Sequence, residues 1–326
     1  IWVATTAYTA NQQVVPTVSN GFYYTCTTAG TTAGTQGSWP TTIGNTLTDG
    51  TVVWTCTAQV DFTNPSPKNM LPYPVFLDGT IYMIAKDSTG ASTADIYNSD
   101  VNNISSWNQT DFISAEQYPD TLSCLIRQHN YVCALGVESC EFFTDEAVAV
   151  GSPLARNAGF TVHVGLSAPD SVVQQEMFFI FVGGTGPGED AVWRVDNYTP
   201  KVISDEFINR VIAAEGSNIA NATAYILSTA GHTFYVLRLT NRTVVYDLYE
   251  NTWNEWTSNS SGSHANWVGK YAADFGDQRS LILHATTGAL YLLDPAVFQD
   301  DGVSILSDMY TGRLDFDTNY RKTMHR

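Results

Sequence analysis

FYVLRLTNRTVVYD, residues 234–247, contains two apolar strands joined by a polar turn, and it ends on an aspartate. The same hairpin occurs five times in the chain, at intervals of about fifty residues. A repeat of this length with several short strands per unit is typical of a β-propeller. One unit cannot bury both faces of its sheet, so we expect the units to stack around an axis and share a core.

The five hairpins can be located from their apolar segments. Their first strands are IYMIAK from Ile81, YVCAL from Tyr131, FFIFV from Phe178, FYVLRL from Phe234 and LILHA from Leu281. Their second strands end at Asp100, Asp145, Asp196, Asp247 and Asp294. An aspartate at the same strand exit in every unit favours a repeated turn role. Catalysis by paired carboxylates would instead require unlike residues in unlike environments.

The composition limits the possible partners. The chain has 326 residues and a net charge of −17, and 44% of the residues are hydrophobic. It has no apolar run long enough to span a membrane. Binding nucleic acid tightly requires a basic patch, and the sequence offers only a weak basic cluster near its end, at Arg313, Arg321, Lys322 and Arg326. The acidic surface either keeps the protein soluble or forms a wall that DNA passes without adhering.

The five cysteines give no sign of a metal site. They are Cys26, Cys56, Cys124, Cys133 and Cys140, and no C-x-x-C pair or Cys/His cluster occurs. Zinc binding is therefore not expected. Cys26 and Cys56 end two strands of one small module and could face each other. We expect the cysteines to be buried free thiols.

The chain divides into four parts by composition. We predict a small aromatic-rich β module of three to five strands at 1–60, a proline-rich linker at 61–74, propeller blades at 75–300, and the start of a further β segment at 301–326. The fold class is all-β, a β-propeller with a small added β module at the N-terminal end. Because the chain starts at Ile1 and ends at Arg326, we interpret it as an internal piece of a longer protein.

One helix stands out among the strands. Ser204 is a candidate cap for a helix over Asp205–Ala214, whose first turn is acidic as the helix dipole favours. An apolar face is predicted from the residues Phe207, Ile208, Val211 and Ile212.

Motifs of catalysis are missing. GGTGPG at Gly183–Gly188 precedes another strand, so it predicts a hairpin loop and not a phosphate-binding loop. The six histidines are dispersed, and no G-x-S-x-G nucleophile motif occurs. We therefore expect no enzyme activity, no catalytic residues, no cofactor and no metal.

The middle of the chain resembles a known family. Its run Asp95–Phe143 resembles the tail-hub proteins of short-tailed bacteriophages, also called packaged-DNA stabilisation proteins or tail nozzles. The similarity extends weakly over about Val75–Asp294. The matching positions are Ser99, Asp100, Phe112, Ala115, Glu116, Pro119, Asp120, Gly136, Ser139, Glu141 and Phe143.

The resemblance implies a structural part of the virion without enzyme activity. In this family several copies, commonly a hexameric ring, form a tube below the head-to-tail connector that retains the packaged genome and conducts it at ejection. It implies as partners further copies of the chain, the connector or adaptor, and spike, fibre or needle proteins, with double-stranded DNA passing transiently. It also implies location in the virion tail after assembly in the cytoplasm of the bacterial host.

The first module carries a second resemblance. It resembles small aromatic β modules of phage tail proteins and of chitin-type carbohydrate-binding domains, and the positions that carry the likeness are Trp2, Tyr8, Val14, Tyr23, Trp39-Pro40, Asp49-Gly50 and Trp54. The rings of Trp2, Tyr8, Trp39 and Trp54 either contact glycans or form the core of the module. We interpret the module as an insertion, with further blades upstream of Ile1. The alternative function is a secreted or virion-associated β-propeller that binds or processes carbohydrate.

Overall fold

The computed structural model describes residues 1–17, 20, 22–58, 70–87, 89–118, 120–148, 151–186, 188–274, 279–294, 296–297, 299–300, 302–306 and 308. The fold is all-β, and every strand pairing in it is antiparallel. The chain forms two compact units, Ile1–His163 and Val164–Arg326. Among the described residues, no helix is long and apolar enough to cross a membrane.

The first unit begins with the small aromatic module. Its strands are β1 (Ala7–Tyr8), β2 (Gln13–Val14), β3 (Phe22–Thr28), β4 (Gly30–Thr31), β5 (Thr46–Asp49) and β6 (Val52–Ala58). Strands β2, β3, β6 and β5 form one sheet in that order, and β1 pairs with β4. The described part therefore has one strand more than the sequence predicts. Its core is built from Trp2, Val14, Tyr24, Cys26, Val52, Trp54 and Cys56.

Two four-stranded blades complete the first unit. The first blade comprises β7 (Val75–Leu77), β8 (Thr80–Lys86), β9 (Ser92–Asp100) and β10 (Asn103–Ser114). The second blade comprises β11 (Leu122–Gln128), β12 (Tyr131–Gly136), β13 (Cys140–Asp145) and β14 (Leu154–Val162). Each blade is a meander of neighbouring strands. Side chains of both blades share one core, which includes Tyr82, Ile84 and Ile96 of the first blade and Val132, Ala134 and Phe143 of the second.

The second unit contains three blades and the helix. The third blade has β15 (Gly165–Leu166), β16 (Val173–Gln174), β17 (Phe178–Gly184), β18 (Ala191–Asp196) and β19 (Thr199–Val202). Helix α1 (Glu206–Glu215) follows. The fourth blade has β20 (Thr223–Thr229), β21 (His232–Arg238), β22 (Thr243–Asp247), β23 (Thr252–Ser260) and β24 (Ser263–Asn266). The fifth has β25 (Gly269–Asp274), β26 (Ser280–His284) and β27 (Leu290–Leu293), and the hairpin β28 (Gln299–Asp300) and β29 (Val303–Ser304) follows it.

All five predicted hairpins are present. The paired strands are β8 with β9, β12 with β13, β17 with β18, β21 with β22, and β26 with β27. The GGTGPG segment joins β17 to β18, so the predicted hairpin loop is confirmed. Gly183 is required there because a Cβ would collide with the carbonyl oxygen of Gly165.

Tight turns with positive φ angles join several strands. Asp78–Gly79, Ala230–Gly231 and Ser261–Gly262 each have positive φ at both positions. These angles match the right-handed twist of the strands that the turns connect. The turns explain why the hairpins keep a fixed register, and therefore why the same faces of each blade are buried.

Helix α1 differs in two details from the prediction. Its cap is Asp205, whose Oδ1 accepts a hydrogen bond from the backbone N–H of Ile208 at 2.8 Å. The predicted cap, Ser204, instead accepts from the backbone N–H of Val192 and donates to Asn209. Of the predicted apolar face, Ile208 and Ile212 are buried, whereas Phe207 is 49% exposed. The side chain of Ser204 is already committed to the third blade, so the cap falls one residue later.

Other sequence expectations concern cysteines and boundaries. All five cysteines lie in the described part of the chain, are buried, and are not in disulfides. The chain is divided into its two compact units between His163 and Val164, and the sequence does not predict this division. Most of the expected linker, 61–69, and most of the last segment, 309–326, lie outside the described residues. The basic cluster from Arg313 to Arg326 lies there too.

Candidate functional site

The family-like motif converges on a buried aspartate in the second blade. Asp120 precedes β11 and is 8% exposed. Its Oδ2 accepts hydrogen bonds from the backbone N–H groups of Glu138 and Ser139, at 2.9 and 3.0 Å, and from the Ser139 hydroxyl at 3.3 Å. A Cβ at Gly136 would collide with this carboxylate. Asp120 therefore fixes the turn between β12 and β13 and requires the glycine beside it.

A second carboxylate of the motif lies in an ion pair. Glu141 on β13 pairs with Arg156 on β14, with 2.8 Å between Oε2 and Nε. The side chain of Glu141 is 2% exposed and that of Arg156 is 29% exposed. Glu141 also accepts from the backbone N–H of Gln117 at 2.9 Å, and Arg156 donates to the carbonyl oxygen of Ser114 at 2.6 Å. The pair thereby ties the segment that links the first and second blades to the sheet of the second.

The chemistry of this cluster is structural. Its two carboxylates already accept hydrogen bonds or form ion pairs with neighbours in the same unit. Burial raises the pKa of the nearby Cys140 thiol, and the carboxylate of Asp120 and the Cys124 thiol raise it further. Burial likewise raises the pKa of Cys133 well above its ordinary value. Both thiols therefore stay protonated at neutral pH, and a protonated thiol is a poor nucleophile.

The remaining motif residues support the first two blades. Ser99 is 1% exposed, and its hydroxyl accepts from the backbone N–H of Ile81 at 3.0 Å. Phe112 stacks on Tyr97 with ring centroids 5.1 Å apart. Ala115 and Phe143 are buried in the shared core and Glu116 is exposed. Pro119 lies outside the described residues.

The five strand-exit aspartates do not all make the same turn. Three of them accept a backbone hydrogen bond two residues on: Asp145 from Ala147 at 2.7 Å, Asp247 from Tyr249 at 2.8 Å, and Asp294 from Ala296 at 2.9 Å. Asp196 instead binds Arg194 on its own strand, with Nη2 and Oδ1 2.8 Å apart. Asp100 is exposed at the end of β9. Each of the five lies at the end of the second strand of its hairpin, and within the first unit Asp100 and Asp145 line the same pocket.

Asp247 carries an additional partner. Its Oδ2 lies 2.6 Å from Nδ1 of His232, on the neighbouring strand β21. Burial by itself would raise the pKa of Asp247, but hydrogen bonds from the N–H groups of Tyr249 and Glu250 and the contact with His232 outweigh it. The net effect is a pKa below the usual range. An Asp–His pair of this kind can orient an imidazole, and here it also anchors the turn after β22.

The four aromatic residues proposed for glycan contact lie in or against the core of the first module. Trp2 is 7% exposed and Trp54 is fully buried. Tyr8 packs edge-on against Trp54 with ring centroids 5.0 Å apart, and Trp39 packs on Tyr24 at 4.2 Å. Of the two interpretations left open by the sequence, the geometry favours the core, because Trp2 and Trp54 are buried and the half-buried Tyr8 and Trp39 pack against them.

Asp49 organises these rings, a role that the sequence does not predict although the Asp49-Gly50 step belongs to the aromatic pattern of the module. It is 4% exposed, and its Oδ2 accepts from the indole N–H groups of Trp2 and Trp54, at 2.6 and 3.2 Å. Its Oδ1 accepts from the backbone N–H of Ala33 at 2.9 Å. Arg156, the partner of Glu141, is missed in the same way. The roles of Asp49 and Arg156 depend on partners that are distant in the sequence, so no local sequence pattern predicts these roles.

The described part of the chain offers no preformed metal centre. Within it, no group of three or more His, Cys, Asp or Glu side chains lies close enough together to hold a metal ion.

A family model matches almost the whole chain. The model described as Bacteriophage P22 Gp10, beta-propeller, covers residues 3–297, which include the first module as well as the five hairpins. No curated protein matches the chain significantly.

Solved structures share only a remote likeness. Dihydro-heme d1 dehydrogenase NirN matches with a TM-score of 0.41 and 11% identity, over 85% of this chain and 55% of the other. The extracellular domain of a putative one-component system from B. thetaiotaomicron matches with a TM-score of 0.41 and 9% identity, over 90% of this chain and 39% of the other. BamB from Moraxella catarrhalis matches with a TM-score of 0.34 and 9% identity, over 67% of this chain and 68% of the other. The chain thus spans about half the length of the first of these structures.

Proposed function

Because the chain belongs to the bacteriophage P22 Gp10, beta-propeller family, we propose that it forms the tail hub or nozzle of a short-tailed phage. Membership makes it a structural phage protein built on a β-propeller. In the proposed role it lies below the head-to-tail connector, retains the packaged genome, and conducts the genome at ejection. The observation that carries the proposal is the family match over residues 3–297.

The charge of the chain supports the proposed conduit. Its 32 acidic residues exceed its 15 basic residues, which gives the net charge of −17. DNA carries about one negative charge per 1.7 Å of its axis. A wall of the same sign attracts no phosphates, so a duplex can pass it without adhering. An acidic lumen suits a protein that must both hold and release the genome.

We extend the proposal to the assembly. Repeated head-to-tail contacts between identical subunits close into a ring when the rotation between them closes, and we propose a hexameric ring of this kind. Its further partners are the connector and the spike, fibre or needle proteins of the tail. The ring is assembled in the host cytoplasm and then belongs to the virion.

We propose that the subunit is not an enzyme. Support comes from the way its acidic residues are used, since Asp120, Glu141 and three strand-exit aspartates accept hydrogen bonds from the protein's own backbone. A glycosidase would instead need two free carboxyl groups about 5–10 Å apart, facing a cleft. The test is incubation with bacterial surface glycans, and release of oligosaccharide would contradict this part of the proposal.

The mass of the intact assembly tests the central claim. We expect native mass spectrometry and particle imaging to show a closed ring of identical subunits around an axial channel. We also expect no retention of double-stranded DNA in a gel-shift assay at low salt, where non-specific binding is strongest. A monomer under assembly conditions, or tight salt-sensitive DNA binding, would overturn the proposal.

A further inference from the structure

An acidic pocket lies between the strand ends of the first and second blades, within the first compact unit. Its volume is about 600 Å³. Four aspartates from different turns and strands line it: Asp78, Asp100, Asp111 and Asp145. Among the described residues that line the pocket, none is lysine or arginine. The pocket therefore concentrates negative charge without a neutralising side chain of its own.

One buried side chain in the same pocket holds an unsatisfied oxygen. Thr80 is 1% exposed and Asn98 is 5% exposed, and both line the pocket. The Oδ1 of Asn98 is buried and has no hydrogen-bond partner, whereas the Thr80 hydroxyl hydrogen-bonds with the phenol of Tyr82. The amide nitrogen of Asn98 donates to the carbonyl oxygen of Ser99 at 3.2 Å, which leaves the amide oxygen as the free acceptor. Buried polar atoms of this kind are rare in proteins and require an explanation.

The chemistry of the pocket selects a ligand that donates hydrogen bonds and is positively charged. Carboxylates and an amide oxygen accept hydrogen bonds, and a threonine hydroxyl can also accept. Asp145 is already engaged, because it accepts from the backbone of Ala147 and from the hydroxyl of Tyr82. Asp78 and Asp100 remain available at the sides of the pocket, and Asp111 accepts from the hydroxyl of Thr110 at 3.4 Å through Oδ1.

The pocket fits an organic cation better than a metal ion. No three or more metal-ligating side chains among the described residues come close enough to surround an ion. The volume lies in the range of sites that take organic groups. A guanidinium group offers five donors in a planar fork. The exposed side chains of Val101 and Val148, 63% and 49% exposed, can cover the methylene stem of such a side chain.

We propose that this pocket receives an arginine side chain presented by a partner protein of the assembled tail. The inference rests on the proposed function, because that function supplies neighbouring proteins to a chain with an acidic surface. The guanidinium neutralises the aspartates and satisfies the amide oxygen of Asn98. The pocket is thus a specific binding site for one side chain, and its role differs from the non-specific electrostatic effect of the net negative charge of the chain.

A titration with short peptides tests the pocket directly. The probes are Ac-Gly-Arg-Gly-NH2 and the same peptide with citrulline, the uncharged analogue of arginine, in place of arginine, followed by NMR of the full chain. The variant Asp100→Asn/Asp111→Asn removes two charges and keeps the shape of the pocket. Its matched control, Glu138→Gln/Glu250→Gln, removes two charges from exposed acidic residues outside the pocket.

The expected result is binding of the arginine peptide with shifts centred on Asn98 and Thr80. We expect the affinity to fall about tenfold or more in the pocket variant, as the loss of charge-assisted hydrogen bonds requires, and to stay unchanged in the control. Equal binding of the citrulline peptide, equal losses in both variants, or no shift with the arginine peptide would overturn the inference. Tighter competition by Ca²⁺ would also overturn it, in favour of a metal site.

The assembly itself separates this inference from the proposed function. A closed ring whose pocket ignores the arginine peptide would refute the pocket and leave the hub intact. A monomer that binds the peptide would refute the hub and leave the pocket's chemistry intact. If the variant Asp100→Asn/Asp111→Asn no longer formed the ring, the pocket would be occupied by a second copy of this chain. That result would refute the inference that a different protein of the tail presents the arginine.

Discussion

Asp49 in the first module and Asp120 in the second blade are both buried aspartates, yet they stabilise different things. Asp49 accepts hydrogen bonds from two indole N–H groups and one backbone amide, and so arranges the side chains of a small core. Asp120 accepts from two backbone amides and one hydroxyl, and so fixes the path of a turn. The second blade already shares a core with the first blade. The core of the module therefore depends on a few rings, whereas the second blade depends on its neighbour and on the path of its own backbone.

Loss of the central ring of the module is expected to have the largest effect. Trp54 is fully buried among Tyr8, Trp39 and Trp2. We expect Trp54→Ala to lower the free energy of unfolding of the module by about 3–5 kcal/mol, because it removes a large buried side chain and leaves a cavity. The measurement is urea unfolding combined with hydrogen exchange read by mass spectrometry.

The location of the exchange tests whether the module is separate. We expect residues 22–58 to lose protection while 75–163 keep it, which would agree with the predicted boundary near residue 60. Equal loss across both would show one cooperative unit. The control is Tyr249→Ala, at a ring that is 74% exposed, where we expect a change within about 0.5 kcal/mol.

The ion pair of the second blade is expected to give the next largest effect. Glu141→Gln removes the carboxylate that pairs with the charge of Arg156, and we expect a loss of about 2–3 kcal/mol. This is below the ~3–5 kcal/mol typical of a fully buried pair, because Arg156 is 29% exposed and can turn to water. Urea unfolding measures the loss.

Two further variants define what the pair contributes. Glu138→Gln, in the exposed turn beside it, serves as the matched control and should change stability by less than about 0.5 kcal/mol. Adding Arg156→Met to Glu141→Gln should restore part of the loss, since an apolar replacement of both partners is often tolerated. A double variant as unstable as the sum of its parts would contradict the coupling.

The direct test of the comparison replaces each aspartate by asparagine. Both oxygens of Asp49 accept hydrogen bonds, so the amide nitrogen of Asn must face either an indole or a backbone donor. All three bonds of Asp120 use Oδ2, which an Asn oxygen can replace. We therefore expect a loss of about 2 kcal/mol for Asp49→Asn and about 1 kcal/mol for Asp120→Asn.

Two measurements test the expected difference between Asp49→Asn and Asp120→Asn. Indole fluorescence should change in Asp49→Asn alone, because Trp2 and Trp54 lose the same acceptor, and urea unfolding gives the free energies. Equal costs for the two substitutions would remove the distinction between a side-chain organiser and a turn anchor.

The sequence predicts well what is local in this chain. The hairpins are found from alternating apolar residues and a polar exit, because strand period and turn chemistry are written within about fifteen residues. The helix is found for the same reason. Its cap is misplaced by one position, because the hydroxyl of Ser204 is engaged by a strand twelve residues upstream.

Contacts between distant residues are what the sequence does not predict. Asp49 reads as part of a turn, and only the fold brings Trp2 to it across 47 positions. Arg156 pairs with Glu141 because β13 and β14 are neighbours in the sheet. The unpaired amide oxygen of Asn98 follows from packing between strands, which no residue pattern encodes.

The smallest expected effect concerns Asp247, which combines the two uses of a buried carboxylate. It accepts backbone N–H groups as Asp120 does and a side-chain partner, His232, as Asp49 does. Burial opposes its ionisation, but those hydrogen bonds prevail, so its pKa is lowered in the folded state. A lowered pKa adds stability above the unfolded value of about 3.9, and this stability is lost as the pH falls through the folded value.

Asp247→Asn should therefore be less stable than the wild type at pH 6, and the difference should shrink as the pH falls below about 4. Urea midpoints of both proteins, measured in steps from pH 6 to pH 2.5, give that difference directly. The sign distinguishes the causes, because a carboxylate held mainly by burial would make the variant relatively less stable in acid. A difference that stays constant over the range would mean that Asp247 acts through the shape of its turn and not through its charge. It would then belong with Asp120 in the comparison.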